Sequence, residues 1–326
     1  MRAVIPVAGV GTRLRPHTYT LPKVLLNVAG KPILAHILDA LKEQGIKKAS
    51  IVYGYMGEMV IDFVKERYSD MEVDFVEQEE AKGLGHAIWS ARDTFGNDPL
   101  MIILGDTVFD VDLSLARISG GSSLGVKKVE DQRRFGVVLL DDDGNVTRMV
   151  EKPEEPISKL ALVGIYYITN PVLLRESLED LIVKDIKTRG EYQLTDALQI
   201  MIEKGEKFKT FRVEGWYDCG KRETLLSTNR YLLDKFPKEY KIEGSVIIPP
   251  CHIAPDAKIV NSVVGPYVTV ADGGRVQDSI VRNSILSNGA NVSLSLLEKS
   301  IIGNHAIVNG HFHSFNVGSS SEIDRS

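Results

Sequence analysis

Downstream of Pro237, isolated apolar residues recur at Val246, Ile253, Ile259, Val264, Ile280, Ile285, Ile301 and Ile307, interleaved with Gly, Asn, Pro and Ser. Several intervals are five to seven residues, and Asn261-Ser262-Val263-Val264-Gly265-Pro266 is paralleled by Lys299-Ser300-Ile301-Ile302-Gly303-Asn304. A unit this short has no core of its own and must stack on its neighbours. The imperfect hexapeptide-like repeat predicts a short parallel β-helix over residues 236–312. An irregular β-sandwich is also compatible with the spacing, because apolar period alone does not separate the two. Residues 313–326 are Ser-rich with little to bury and read as a disordered tail.

The first 235 residues follow another rhythm. Residues 3–8 form an apolar run closed by Gly9-Val10-Gly11-Thr12, as when a buried strand enters a tight loop. Over 31–45, Ile33, Leu34, Ile37, Leu38 and Leu41 share one helical face, with Pro32 near its start and Gly45 at its stop. The run Ala49 to Tyr53 follows at once, and right-handed crossover geometry turns strand, helix and strand into a parallel-sheet unit. A helix near 57–67, a strand near 72–76, a helix near 85–95 and the strand Leu100-Met101-Ile102-Ile103-Leu104 continue the pattern. Strands this continuously apolar suit a sheet covered on both faces. Strands are then expected at 123–129, 136–140, 146–150 and 161–168, with Asp141-Asp142-Asp143-Gly144-Asn145 as a hairpin turn. Helices return at 171–179, 194–204 and 221–234, the first opened by Asn170-Pro171. The expectation is an α/β domain, Rossmann-like with a mixed, mainly parallel sheet covered by helices, over residues 1–235.

Lys+Arg number 39 against Asp+Glu 44, a net charge of -5, so no general basic field collects nucleic acid. An anionic ligand must be met by a local cluster instead. Cys219 and Cys251 are the only cysteines and have no metal-ligand spacing, which argues against a disulfide scaffold or a zinc site and fits a reducing, cytoplasmic setting. Nowhere do 18 uncharged apolar residues run together, so no membrane span is expected. The start, Met1 to Val7, meets Pro6 and Gly9 too early for a signal peptide and reads as the first strand.

Several clusters carry chemistry. Gly9, Gly11 and Thr12 end the first strand, and glycines there let backbone amides approach a base or phosphate. Arg13 offers a fork of donors to triphosphate oxygens, and Lys23 in Leu21-Pro22-Lys23 is a mobile point charge for the same anion. The loop lacks both the dinucleotide glycine pattern and the Gly-Lys-Ser/Thr ending of a P-loop, and a solvated basic loop is its plainer reading. Arg15 reads as loop support.

Asp106 follows an apolar strand, where open α/β sheets put their ligands, and Asp218 lies between Gly215-Trp216-Tyr217 and Cys219-Gly220. Two convergent carboxylates can hold a magnesium ion that also takes phosphate oxygens; each aspartate alone reads equally as a cap or turn residue. In Glu151-Lys152-Pro153 the two charged side chains should diverge, the acid toward sugar hydroxyls and the lysine toward the sugar's phosphate, unless the segment is a surface turn. Glu191 can cap the following helix or reach sugar hydroxyls. Gln78, aided by backbone at Gly83, can read a base edge. Trp216 can wall a sugar pocket, Trp89 reads as core filler, and His17 and His86 lie in no triad.

Together these residues resemble the sugar-phosphate nucleotidylyltransferase family, especially its long glucose-1-phosphate thymidylyltransferase-like members. The resemblance rests on Gly9 to Pro16, Leu21-Pro22-Lys23, Gln78 with Gly83, Gly105-Asp106, Phe135-Gly136-Val137-Val138, Glu151-Lys152-Pro153, Gly190-Glu191-Tyr192-Gln193-Leu194-Thr195-Asp196 and Trp216-Tyr217-Asp218-Cys219-Gly220. It covers most of 1–235 in the family's order, and the repeat region is similar to the left-handed β-helix extension of the long members. The resemblance implies Arg13 and Lys23 on the phosphates, Gln78 and Gly83 at the base, and Asp106 and Asp218 as magnesium ligands. It further implies Gly136, Glu151 and Glu191 along the sugar and Lys152 at its phosphate. Two departures stand out: Ala8-Gly9 where many relatives have two glycines, and Thr107 where many have Asn.

The implied reaction is direct displacement. A sugar 1-phosphate oxygen attacks the α-phosphorus of a nucleoside triphosphate in line with pyrophosphate and needs no strong general base, so the protein's work is to orient two anions and offset their charge. The implied pair is dTTP with glucose 1-phosphate, with UTP- or GTP-using transfer as the nearest alternative. Acyl transfer in the β-helix, with His252, His305, His311 and His313 as the residues that suggest it, and a non-catalytic regulatory subunit are the remaining readings. Assembly into a homo-oligomer is expected, the β-helix being the element whose edges need covering.

Overall fold

The computed structural model describes residues 1–117 and 120–311; the tail expected over 313–326 lies outside the described residues. The chain divides into two compact units, Met1–Leu26 with Lys31–Thr228, and Asn27–Gly30 with the chain from Asn229 onward.

The first unit opens with strand β1 (Arg2–Pro6), helix α1 (Ile33–Glu43), strand β2 (Lys48–Tyr53), helix α2 (Gly57–Arg67), strand β3 (Glu72–Glu77), helix α3 (Leu84–Ser90) and strand β4 (Leu100–Ile103). β1 runs parallel to both β2 and β4, and β2 to β3. The order β4-β1-β2-β3 has its switch point between β1 and β4, since the first two crossovers proceed one way and the third returns past β1. All four residues of β4 are buried, as a strand covered on both faces requires. On α1 the buried set includes Ile33, Leu34, Ile37, Leu38 and Leu41, the expected face, and each such side chain contributes about 1.5–3 kcal/mol by leaving water.

Strands β5 (Thr107–Asp110), β6 (Ser122–Lys128), β7 (Gly136–Leu140), β8 (Val146–Glu151) and β9 (Leu160–Ile168) follow, then helices α4 (Pro171–Val183) and α5 (Leu194–Glu203), strands β10 (Phe208–Arg212) and β11 (Gly215–Asp218), and helix α6 (Arg222–Lys235). β9 pairs antiparallel with β4, β6 and β7, which makes the sheet mixed. The expected hairpin at 141–145 joins β7 to β8, closed by Asn145 N–H donating to the Asp141 carbonyl at 2.9 Å. Asn170 caps α4, its side chain accepting from Leu173 N–H at 3.0 Å. β5 and β11 form a separate antiparallel ribbon. That ribbon and β10 were absent from the expected elements: runs this short show no period.

The second unit is a left-handed parallel β-helix with three four-stranded parallel faces, so the β-sandwich alternative falls. Register partners such as Val246, Val263, Ile280 and Leu296 advance the chain 16 or 17 residues per coil. Its interior is apolar, with Val264, Val268, Val270, Val276, Val281 and Leu286 fully buried. Left-handed backbone recurs at the corners, as at Asn261, Asp278 and Leu294 in one column and Tyr267, Asn283 and Lys299 in another. Asn and Asp tolerate that conformation, whereas Leu294 and Lys299 accept its strain for the sake of the stack. A serine ladder reinforces the first column: Ser262 Oγ accepts from Ser279 N–H and Ser279 Oγ from Ser295 N–H, each at 3.1 Å. His252, in the strand Cys251–Ile253, lies over Gly30, and His305 fills the corner over Gly289; His313 lies outside the described residues.

Candidate active site

A cleft of about 390 Å³ opens at the switch point, where the C-terminal ends of β1 and β4 separate. Ala8 and Gly9 border it from β1, Gly105 and Asp106 from β4, Gln78 and Gly83 from the link between β3 and α3, and Lys23 and Glu191 from two loops.

Lys23 Nζ stands 2.8 Å from Asp106 Oδ2. The Asp106 side chain is 41 % exposed, open to the cleft while protein surrounds it elsewhere. Burial pushes the Asp106 carboxyl up, but the Lys23 charge and hydrogen bond, with Thr107, outweigh it and hold the group below the usual carboxylate range. Thr107 Oγ1 donates to Asp106 Oδ1 at 3.3 Å, so the threonine that departs from the family pattern supports the aspartate.

Asp218 reaches the same place by register. β11 pairs antiparallel with β5, setting Asp218 opposite Thr107, and Cys219 N–H donates to the Asp106 carbonyl at 2.9 Å. Asp218 Oδ1 accepts from Gly220 N–H at 2.7 Å, and Arg13 Nη2 shares the space over Gly220 with that carboxylate. The buried Cys219 thiol is pushed up to about 12 by burial, with Asp106 and Asp218 also raising it. Gly11 is left-handed and packs on the Lys23 stem, while Thr12, Arg13 and Arg15 are exposed. Arg15 lies over the Tyr19 ring at 4.8 Å, a loop contact.

On the base side, Gln78 is buried and its amide donates to the Gly83 carbonyl at 3.1 Å. Gly83 has a φ of 110, and a side chain there would meet the Tyr192 carbonyl at 2.6 Å. Glu191 lines the cleft, its Oε2 accepting from the Gln193 amide at 3.1 Å, and it makes no capping hydrogen bond to the α5 N-terminus.

Glu151 and Lys152 do not diverge as strand alternation predicts. Glu151 Oε1 pairs with Lys152 Nζ at 3.2 Å. The reason is backbone: β8 ends at Glu151 and Lys152 has a φ of 44, which swings its side chain back to the acid's side. Thr195 Oγ1 donates to Glu151 Oε2 at 2.8 Å, and both atoms crowd the face of Gly136. The fully enclosed Tyr166 phenol is raised by burial and then by the charges of Glu151 and Asp106. Trp216 meets Phe135 edge-on at 4.8 Å with its Nε1 buried and unpartnered, and it is not among the residues lining the cleft. Trp89 is half-buried and packs against the core, as expected, while its indole N–H donates to Glu179 at 2.7 Å.

The family model for nucleotidyl transferases matches residues 2–235. This chain belongs to the nucleotidyl transferase family. It is 37% identical over 254 residues to the low-salt glycan biosynthesis nucleotidyltransferase Agl11 of Haloferax volcanii, covering 76% of this chain and 69% of that one. It is 31% identical to a glucose-1-phosphate thymidylyltransferase of Streptomyces griseus over 94% of this chain and 93% of the relative. The UTP–glucose-1-phosphate uridylyltransferase AglF of Haloferax volcanii is 34% identical over 66% of this chain and 89% of the relative. The bifunctional protein GlmU of Methanocaldococcus jannaschii is 37% identical, and the match spans 59% of its length. Among solved structures, UDP-glucose pyrophosphorylase complexed with UDP-glucose superposes with a TM-score of 0.62 at 26% identity, covering 72% of this chain and 98% of the other. The nucleotidyl transferase thus acts as a sugar-1-phosphate enzyme of nucleotide-sugar synthesis, while relatives of both uridylyl and thymidylyl type leave the base open. No helix among the described residues is long and apolar enough to cross a membrane.

Two residues near Glu151 went unassigned in the sequence. Thr195 is its hydroxyl partner. Asp196 has a buried, unpartnered Oδ2, and burial raises its carboxyl, Thr188 lowering it and Glu151 raising it again.

Proposed function

We propose that this protein transfers a nucleotidyl group from a pyrimidine nucleoside triphosphate, UTP or dTTP, to glucose 1-phosphate, releasing pyrophosphate. Uridylyl- and thymidylyl-transferring relatives together support a pyrimidine, and dTTP stands no higher than UTP. The observation that carries the reading is the meeting of Lys23, Asp106, Asp218 and Arg13 beside a cleft that also offers Gln78 and Gly83.

In this reading Gln78 and the backbone at Gly9 and Gly83 hold the base, with Gly11 and Thr12 shaping the loop over the phosphates. Arg13 steadies the leaving pyrophosphate, and Lys23 exchanges part of its hold on Asp106 for a phosphate oxygen. Gly136, Glu151 and Glu191 take sugar hydroxyls, Trp216 backs that region, and Lys152 holds the attacking phosphate. Asp106 and Asp218 fit a magnesium ion, because both present hard oxygen donors from neighbouring backbone and Asp106 opens to the cleft. Magnesium held by these two aspartates would offset charge on the phosphate oxygens. The protein's own share is alignment of attacking oxygen, α-phosphorus and leaving oxygen, with positive side chains placed in advance. A cytoplasmic location and self-association through the β-helix belong to the same proposal.

The test is pyrophosphate release from UTP, dTTP, GTP and ATP, each paired with glucose, mannose and N-acetylglucosamine 1-phosphates. UTP or dTTP with glucose 1-phosphate should lead. A purine triphosphate in the lead removes the base assignment, and silence from every pair removes the catalytic one.

A further inference from the structure

Glu151 is a carboxylate with only 11% of its side chain exposed, and two donors fix it. Lys152 takes Oε1 at 3.2 Å and the Thr195 hydroxyl takes Oε2 at 2.8 Å. Carboxylates rotate easily about their last bond, so one charged partner leaves the plane of the group undetermined, whereas a second donor on the other oxygen sets it. Thr195 is itself held, being buried in the first turn of α5 and β-branched, so that its side chain has few rotamers. Gly136 completes the arrangement by absence: a methyl there would stand 2.9 Å from Glu151 Oε2 and 3.0 Å from Thr195 Oγ1. The hydrogen bond exists in the space a side chain would fill.

We infer that Thr195 is the positioning residue for sugar recognition, fixing the Glu151 carboxylate through its hydroxyl, with Gly136 leaving room for that bond. The inference rests on the reading above that Glu151 faces the sugar 1-phosphate. Its consequence is selective: the donor triphosphate meets other residues, so the loss should fall on one substrate.

Glucose 1-phosphate and triphosphate KM values, kcat and Tm are measured for the full chain and for Thr195→Val, Thr195→Ala and Thr195→Ser. A hydrogen bond to a charged group is lost in Val and Ala, and the expected result is a rise of roughly tenfold in the KM for glucose 1-phosphate. The triphosphate KM should stay within about twofold and Ser should restore most of the loss. The Ser and Ala pair isolates the hydroxyl should the Val variant fold poorly. Equal glucose 1-phosphate KM values for Ser and Ala, or a rise in both substrates' KM, overturn the inference while leaving the reaction intact. A wild-type protein that turns over no sugar 1-phosphate defeats the functional reading, and this inference with it.

Discussion

Lys23 Nζ and Asp106 Oδ2 lie 2.8 Å apart across the cleft, the lysine nearly buried and the aspartate open to it. The pair joins the group read as a phosphate anchor to one read as a metal ligand, so each holds the other ready without its substrate. Lys23→Ala removes the charge and hydrogen bond that lower the Asp106 carboxyl against the effect of burial. We expect kcat/KM to fall by roughly 10²–10³, the scale of losing a preorganised charged donor, with Tm changed little. Lys23→Arg should recover little, because a planar fork does not fit the volume of a buried ammonium on a single acceptor. Steady-state kinetics and a melting curve check both.

Asp218 makes the complementary case. Its Oδ1 accepts only a local backbone bond from Gly220, at 2.7 Å, so Asp218→Ala should leave the fold intact while turnover collapses. Asp218→Asn keeps that acceptor and should show the same collapse, separating charge from shape. Titration with magnesium is the measurement, and turnover unchanged at saturating magnesium would remove Asp218 from this role.

Gly83 has a φ of 110, and a Cβ added there would stand 2.6 Å from the Tyr192 carbonyl oxygen and 2.9 Å from Glu191 Cβ. Gly83→Ala combines backbone strain with a clash against backbone that cannot rotate away, a cost of about 1–3 kcal/mol. Because Gln78 donates to the Gly83 carbonyl, the damage should also reach the base side. A lowered Tm with a raised triphosphate KM is the expected pattern, and the glucose 1-phosphate KM should rise with it because the same methyl crowds Glu191.

What could be read in the sequence follows from what leaves a periodic trace. The face of α1 and the continuous burial of β4 were legible because packing imposes a period, and the β-helix because its coils repeat. The β5–β11 ribbon was not, although it delivers Asp218 to Asp106, because four-residue strands carry no pattern and their pairing spans distant sequence. Lys152 was misdirected since alternation assumes the strand continues, and a φ of 44 ends it. The joining of Asn27–Gly30 to the second unit was equally silent, as its anchor is Asn229, far along the chain.

Asn229 Oδ1 accepts from Ala29 N–H at 2.9 Å and from Thr269 Oγ1 at 2.7 Å, and the residue is 1% exposed. Asn229→Leu strands the buried Thr269 hydroxyl, at a cost of about 1–3 kcal/mol, and also takes the acceptor from the half-buried Ala29 N–H. A marked loss of thermal stability is therefore expected, against a small effect from substituting exposed Lys241. Calorimetry of the full chain tests this, and a Tm within a degree or two of wild type would show that water replaces both bonds.

His252 supplies a pH test of the β-helix unit. Burial lowers its pKa below the ordinary 6.5, Lys238 lowering it further and Asp272 raising it, so the folded unit favours the neutral ring. The sign follows from which state binds the proton first. As pH falls, the unfolded chain protonates this histidine near 6.5 while the folded chain resists, so the stability it confers is full above that value and lost below it, down to the lowered folded pKa. His252→Gln removes the proton from the balance. The difference in Tm between wild type and variant, followed from pH 7.5 to 5.5, should shrink as the pH falls. A difference that stays constant would mean that the ring packed over Gly30 is no harder to protonate than one in water.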